Sequence, residues 1–199
     1  MKAILTITFS FILIFSKVIY AGEAHDYVEK VHQEIIEIIK DQQGNYSNNP
    51  DIFIRSIEEA LIPLVDFDRI SRNVMGKKFY LGASTKQKDE FSKVFKISLL
   101  QTYAKTLAEF KDERIIILPK KEESKKPGRE RVYLEIVTSS KNYQGMYSMY
   151  KDKQGMWKVI NIIINGVNLG SIFKKQFKSL MNDKSNDYDQ VILAWETSI

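Results

Sequence analysis

The sequence predicts an α+β protein in which helices cover one face of a curved antiparallel sheet. From Val28 to Phe110 apolar residues recur every three or four positions, which is the spacing of amphipathic helices. From Arg114 to Ile164 apolar and polar residues alternate, as in half-buried strands. Helical spacing returns after Asn165. Because strands that are close in sequence pair antiparallel, this order of elements is typical of an α+β fold.

Four helices are predicted before the sheet, and the first two have clear boundaries. The first carries apolar residues from Val28 to Ile39 and ends near Gly44. The second begins with Asn49 as its N-cap and Pro50 at the first helical position. Pro63 ends or kinks it, because proline cannot donate the hydrogen bond that a helix interior needs.

The third and fourth helices begin with capping residues. Asp66 caps a short helix that ends at Gly76. A capping box from Ser84 to Gln87 begins the fourth helix. This helix carries the longest apolar stripe in the chain, which consists of Phe91, Val94, Phe95, Leu99, Tyr103, Leu107 and Phe110.

Four strands and two further helices complete the predicted fold. A charged loop containing Pro127 and Gly128 separates the first two strands, and short polar turns separate the others. The strands are Arg114 to Leu118, Arg131 to Thr138, Tyr143 to Tyr150 and Trp157 to Ile164. The fifth helix carries Ile172, Phe173, Phe177, Leu180 and Met181, and the last carries Tyr188, Val191, Ile192 and Trp195. The sheet is therefore predicted to have four antiparallel strands.

Residues 1–21 have the three parts of a secretory signal peptide. Lys2 supplies the positive charge, an apolar run follows from Ala3 to Phe15, and the small residue Ala21 precedes a polar stretch. The run is shorter than the roughly 20 residues of a membrane-spanning helix. Cleavage near Gly22 or Ala24 is an alternative to cleavage after Ala21. We expect an exported protein.

The part after the signal is expected to be one domain, residues 22–199, with a helical part (22–112), a sheet (113–164) and C-terminal helices (165–199). Its length suffices for one hydrophobic core. Removing Lys2 and Lys17 lowers the formal net charge from +5 to +3, which does not predict a nucleic-acid-binding protein. Since the chain has no cysteine, the fold must depend on apolar burial without disulfides or thiolate metal sites.

Residues suited to catalysis are scarce, which favours a binding protein over an enzyme. The two histidines, His25 and His32, share one helix and have no partners that complete a zinc motif. Ser171 and Lys174 have the spacing of a serine acyl-enzyme motif, but no companion motif follows. No cofactor or metal is expected. A scaffold protein without a ligand and, less favoured, an enzyme stay as alternatives.

Three stretches resemble the periplasmic phospholipid-binding proteins of the MlaC type, also called the toluene-tolerance family. They are VDFDRISRNVMGKKF at Val65 to Phe79, FSKVFKISLLQTYAKTLAEF at Phe91 to Phe110, and WKVINIIINGVNLGSIFKKQFKSLM at Trp157 to Met181. The likeness extends from about His25 to Met181 and covers most of the exported part. One departure is Asn165, where the family usually has an acid.

The resemblance implies a cone-shaped fold like that of nuclear transport factors, with an apolar cavity between helices and sheet that holds acyl chains. It further implies a carrier that moves phospholipid between the inner and outer membranes and so maintains outer-membrane lipid asymmetry. Its implied partners are an inner-membrane ABC transport complex and an outer-membrane lipoprotein. The carrier itself is expected to be a monomer.

Position in the matching stretches also implies residues that bind lipid. Tyr103 and Val167 are the first candidates, because a tyrosine suits the wall of a cavity near its mouth and Val167 follows the last strand. An ordinary core position is the alternative for both. The further candidates are Leu64, Phe67, Val74, Leu99 and Leu107. Arg69, Arg72, Lys77 and Lys78 are candidates for steering the protein to phosphate or to an acidic partner, or form an ordinary solvated helix face.

Overall fold

The computed structural model describes residues 23–109, 113–119 and 124–197, so the predicted signal peptide and Phe110 lie outside the described residues. The helices are α1 (Glu23–Tyr46), α2 (Pro50–Leu61), α3 (Phe67–Gly82), α4 (Thr85–Ala108), α5 (Leu169–Asp183) and α6 (Tyr188–Thr197). The strands are β1 (Arg114–Ile117), β2 (Arg129–Val137), β3 (Asn142–Lys151), β4 (Trp157–Ile164) and β5 (Val167–Asn168). The α+β class is therefore confirmed. None of these helices has both the length and the apolar character needed to cross a bilayer.

The predicted helix starts at α2, α3 and α4 are confirmed. The side chains of Asn49 and Asp66 accept hydrogen bonds from the backbone N–H three residues further on, at 3.4 and 2.8 Å. At α4 the Ser84 hydroxyl accepts from the Gln87 N–H at 3.2 Å, and the Gln87 side chain accepts from the Ser84 N–H at 3.0 Å. Each cap satisfies a backbone donor that lacks a partner inside the helix.

Helix α3 extends beyond its predicted end. Its first part stops at Gly76, whose φ of 73° and ψ of 162° are not helical, but a second part continues to Gly82. Long-range contacts hold this second part: the ring of Phe79 lies 5.9 Å from that of Phe177, and its carbonyl accepts from the Tyr188 hydroxyl at 3.0 Å. Local sequence does not predict this part, because the partners that hold it lie on α5 and α6.

The sheet has five strands in the order β1-β2-β3-β4-β5, so the prediction of four strands is wrong. Asn165 and Gly166 have positive φ values of 48° and 77°, which is the backbone of a tight hairpin turn. The chain therefore folds back, and Val167 and Asn168 pair antiparallel with the end of β4. The predicted turn at Asn165 therefore leads into this short strand before the helix begins.

The linker between α2 and α3 closes the remaining edge of β4. The Val159 N–H donates to the Leu64 carbonyl at 2.8 Å, and the Asp66 N–H donates to the Val159 carbonyl at 3.1 Å. The Tyr150 hydroxyl on the neighbouring strand donates to the carboxylate of Asp66. Asp66 thus caps α3 and fastens the start of this helix to the sheet, while the edge of β4 is kept from open pairing.

Two hydrophobic clusters form the interior. The first joins α1, α2, the second half of α4 and the sheet, and its most buried members include Val28, Ile39, Phe53, Ile57, Leu100, Val132 and Met149. The second joins α3, the first half of α4, α5 and α6. Its centre is aromatic, because Trp195 lies with its ring centroid 5.3 Å from Phe91 and 5.8 Å from Phe95. The predicted last helix with buried Val191, Ile192 and Trp195 is confirmed.

Candidate functional site

Helix α4 belongs to both clusters, but through different sides. Phe91 and Phe95, near its start, are buried in the second cluster. Leu100 and Ala104, near its end, are buried in the first. Successive helical residues are turned by about 100°, so these two pairs lie on different sides of the helix. The long apolar stripe predicted from the sequence is therefore not a single packed face.

The remaining part of that stripe forms an apolar side of α4 that the two clusters cover only in part. Leu99, Tyr103 and Leu107 are four residues apart, which places them above one another on the helix. Leu99 packs against the second cluster and Leu107 against the first, and both are half-buried. Tyr103 lies between them and is 42% exposed. An apolar strip thus runs along the seam between the two clusters.

A row of residues across all five strands supplies an apolar sheet face. The register pairs Ile117 with Leu134, Leu134 with Gly145, Gly145 with Ile164, and Ile164 with Val167. Directly paired residues point to the same face of a sheet. The alternate residues Val132 and Tyr147 flank this row, and Tyr147 meets α1, so the row lies on the face that the helices cover. Val167 is at its edge and is 48% exposed.

Gly145 is the position where this row comes closest together. A Cβ atom at Gly145 would lie 2.6 Å from the Leu134 Cδ1 atom and 3.3 Å from the Ile164 Cδ1 atom. Both side chains therefore fold over the glycine and fill the middle of the sheet face. Alternation along each strand predicts which of its residues share a face, but it does not predict this row, because register is a long-range property.

One polar contact links α1 to this apolar face. The Tyr147 hydroxyl lies 3.1 Å from the His32 Nε2 atom, and the two rings meet edge to face at 5.5 Å between centroids. Burial lowers the pKa of His32 to about 4, and burial raises the pKa of Tyr147. The pair is therefore neutral near pH 7, and the tautomer of the imidazole sets which of the two groups donates. It fixes α1 on the sheet beside the row.

This pair predicts a loss of stability in acid. An unfolded histidine takes up a proton near pH 6.5, whereas folded His32 does so near pH 4, so stability falls as the pH drops through this window. The expected loss is about 3 kcal/mol for this group, and it is fully regained above pH 6.5. Urea unfolding of wild type and His32→Gln at several pH values checks this. If the free energy of unfolding fell with pH equally in the two proteins between pH 7 and 4, the prediction would be contradicted.

The structure brings some predicted site residues together and separates others. Leu99, Tyr103 and Leu107 share one side of α4, and Val167 lies on the helix-covered sheet face. Leu64 is 2% exposed in the first cluster and Val74 is 1% exposed in the second, so both are core residues in this conformation. Phe67 lines a separate polar groove of about 650 Å³ at the start of α3. Their lipid contacts stay predictions.

Within the part of the chain that the structure describes, the candidate catalytic groups lie in ordinary structural positions. Among residues 23–109, 113–119 and 124–197, no three histidine, cysteine or acidic side chains are placed to hold a metal ion. The Ser171 N–H donates to the Asn168 side chain at 3.0 Å, as part of the N-cap of α5. Lys174 extends over Gly76, where a Cβ atom would lie 3.1 Å from its Cε atom. The local contacts of these two residues are those of a cap and of helix packing.

Fold and site together define a class: α+β proteins with one antiparallel sheet whose apolar face lies under helices, with an apolar seam left partly open. The chain belongs to the MlaC family, because the family model described as MlaC protein matches residues 29–197. The resemblance found in the sequence is thereby confirmed.

Relatives and a solved structure agree with this assignment. The toluene tolerance protein ttg2D of Pseudomonas putida is 31% identical over 175 residues, which cover 88% of this chain and 80% of the relative. The intermembrane phospholipid transport system binding protein MlaC of Haemophilus influenzae is 22% identical over 191 residues, or 92% and 86% of the two chains. A phospholipid-binding protein from Ralstonia solanacearum, solved in complex with a phospholipid, has a TM-score of 0.78 at 21% identity. The match covers 87% of this chain and 94% of that structure's chain. This likeness shows that the fold is shared.

Proposed function

We propose that this protein is a periplasmic carrier that binds the acyl chains of a phospholipid between its helices and its sheet. It moves lipid between the outer and inner membranes and thereby maintains outer-membrane lipid asymmetry. In this role it carries out no catalysis. Family membership and the names of the relatives support this function, and residues 1–21 support export.

The observation that carries the proposal is the apolar seam between the two hydrophobic clusters. Tyr103 is 42% exposed between two half-buried leucines of α4, and Val167 is 48% exposed at the end of the apolar sheet row. Water covers these apolar surfaces in the absence of lipid. Acyl chains inserted along the seam would replace that water, and the first and second clusters would separate slightly to admit them.

The free energy of transferring a lipid from the bilayer to water determines how much of its acyl chains a carrier must shield from water. Two acyl chains contain about thirty methylenes, so at roughly 0.8 kcal/mol each the lipid in water lies on the order of 20 kcal/mol above the bilayer. Nearly all of both chains must therefore be hidden. Binding must still be close in free energy to the bilayer, because otherwise release would be too slow. The polar head group stays at the mouth in water.

The proposed partners follow from this role. One is an inner-membrane ABC transport complex and the other is an outer-membrane lipoprotein, and the carrier meets them in turn as a monomer. Both would have to engage the protein near the seam, since the acyl chains leave the protein there. A direct passage from one apolar environment to the next avoids exposure of the chains to water.

Mass spectrometry of residues 22–199, purified without detergent, tests the proposal. We expect about one phospholipid per protein under native conditions and the same lipid after organic extraction. An apo mass, together with no lipid uptake from phosphatidylglycerol and phosphatidylethanolamine vesicles, would contradict the carrier and favour a scaffold protein without a ligand. Hydrolysis of a lipid ester that requires Ser171 would instead favour an enzyme.

A further inference from the structure

A groove between α3 and α5 carries positive charge without a compensating acid. It encloses about 620 Å³ and is lined by Arg72, Lys77 and Lys174, whereas none of its lining residues is acidic. These three side chains are exposed, and none of them has an ion-pair partner in the part of the chain that the structure describes. The groove is therefore an electropositive concave surface.

The neighbouring groove at the start of α3 shows that this charge pattern is particular to one place. That groove also contains an arginine and several lysines, but Asp66, Asp68, Asp89 and Asp152 line it as well. One of its lysines, Lys96, is paired with Glu58 at 2.5 Å. Its charges are balanced within the protein. The charges between α3 and α5 are not, so an anion from outside would be attracted there.

The kink in α3 builds this groove. Because Gly76 has no side chain, Lys174 can cross the kink, and a Cβ atom there would lie 3.1 Å from its Cε atom. The first N–H groups of α5 are already used: Gly170 donates to the Asn161 side chain at 3.2 Å, and Ser171 donates to that of Asn168 at 3.0 Å. An anion in the groove would therefore meet the three cationic side chains rather than free backbone donors.

Apolar side chains lie beside these cations. Leu81 is 70% exposed, and Ile70, Tyr80 and Ile160 also line the groove. The volume lies within the range of ligand sites and is much larger than one phosphate group requires. A flat bilayer cannot enter a concave surface. An extended chain with several carboxylates and an apolar side chain matches both the charge and the shape.

We propose that this groove binds an acidic segment of a partner protein. Carboxylates of the segment pair with Arg72, Lys77 and Lys174, and an apolar residue of the segment packs against Leu81. None of the seam residues of α4 lines this groove, so docking here does not require the proposed lipid binding. Charge complementarity of this kind would speed the encounter with the partner and orient the protein on it.

Fluorescence anisotropy with a fluorescein-labelled hexaglutamate peptide tests the proposal at low salt. We expect saturable binding to residues 22–199 that weakens at least tenfold in the Arg72→Glu, Lys174→Glu double variant. The Lys125→Glu, Lys126→Glu double variant, in the loop before β2, is the matched control for charge reversal and should change the affinity less than twofold. Binding should also weaken as salt is raised, because the side chains concerned are exposed.

Two further measurements decide between possible ligands. Failure of wild type to bind the peptide, or equal binding by the double variant, would overturn the proposal. Full displacement of the peptide by millimolar inorganic phosphate would show a small-anion site instead, and groove-dependent sedimentation with phosphatidylglycerol vesicles would show a membrane surface. The double variant should keep its co-purified lipid, which separates this proposal from the proposed carrier function.

Discussion

Replacement of Trp195 by alanine is expected to lower the free energy of unfolding by about 3–5 kcal/mol. The indole is 2% exposed and packs edge to face on Phe91, and its Nε1 atom donates to the Ser98 hydroxyl at 3.0 Å. The substitution removes the ring that joins α6 to α4 and leaves a cavity among rings that are themselves fixed. Urea unfolding of residues 22–199 at pH 7.5, followed by circular dichroism, measures the loss.

Leu193→Ala is the control for this prediction, because Leu193 is on the same helix and is 60% exposed. We expect its free energy of unfolding to lie within about 0.5 kcal/mol of wild type. A loss below 1 kcal/mol for Trp195→Ala would mean that α6 contributes little to the second cluster. Proteolysis at residues 184–187 would then show whether α6 separates from α4 without global unfolding.

Local sequence predicted the helices well because their start signals are local. Asn49, Asp66 and Ser84 each act within three residues of themselves, and the structure contains all three caps. The strand positions were also predicted closely, since alternation along a strand needs no knowledge of its partner. The order of the elements followed from these two periodicities alone.

The errors concern features that depend on distant contacts. The second part of α3 is held by Phe177 and Tyr188, which lie about a hundred residues further along the chain. Strand β5 is only two residues long and exists because the turn at Asn165 and Gly166 returns it to β4. A two-residue strand has no periodicity to detect. A glycine with positive φ can either end a helix or kink it, and the sequence does not distinguish these outcomes.

The candidate site was predictable in its helix but not in its sheet. The apolar stripe identified Leu99, Tyr103 and Leu107. That these residues lie on a partly exposed side of α4 is seen only in the structure, where the buried side of the helix differs between its first and second halves. Val167 is on the helix-covered face because its partner, Ile164, belongs to the row through Gly145. That assignment requires the register of β3 with β4 and of β4 with β5, which no local pattern provides.

The division into two clusters has a mechanical consequence. The second cluster is held by aromatic rings and by the bond between Trp195 and Ser98, whereas the first includes the sheet and the neutral pair of His32 and Tyr147. Along Leu99, Tyr103 and Leu107 the clusters cover α4 only in part. We therefore expect the chain to separate along this seam when lipid enters, because opening there disrupts less packed surface than opening either cluster.

A tryptophan at Val167 is expected to reduce the phospholipid that co-purifies with residues 22–199 to less than about half of the wild-type amount. Val167 lies at the edge of the apolar row and is 48% exposed, so a larger side chain has space in the lipid-free fold. The indole would then occupy the surface that acyl chains need. Lipid per protein is measured by organic extraction and mass spectrometry, and folding by thermal unfolding.

Met156→Trp is the matched control, because Met156 is 44% exposed in the turn between β3 and β4, on no part of the seam. It should retain the full amount of lipid. An unchanged lipid content in Val167→Trp would remove Val167 from the site, and Tyr103→Arg then decides whether the seam itself is wrong, since a charge there would repel acyl chains. If neither substitution lowered the lipid content, the chains would have to lie elsewhere, and the open side of α4 would need another explanation.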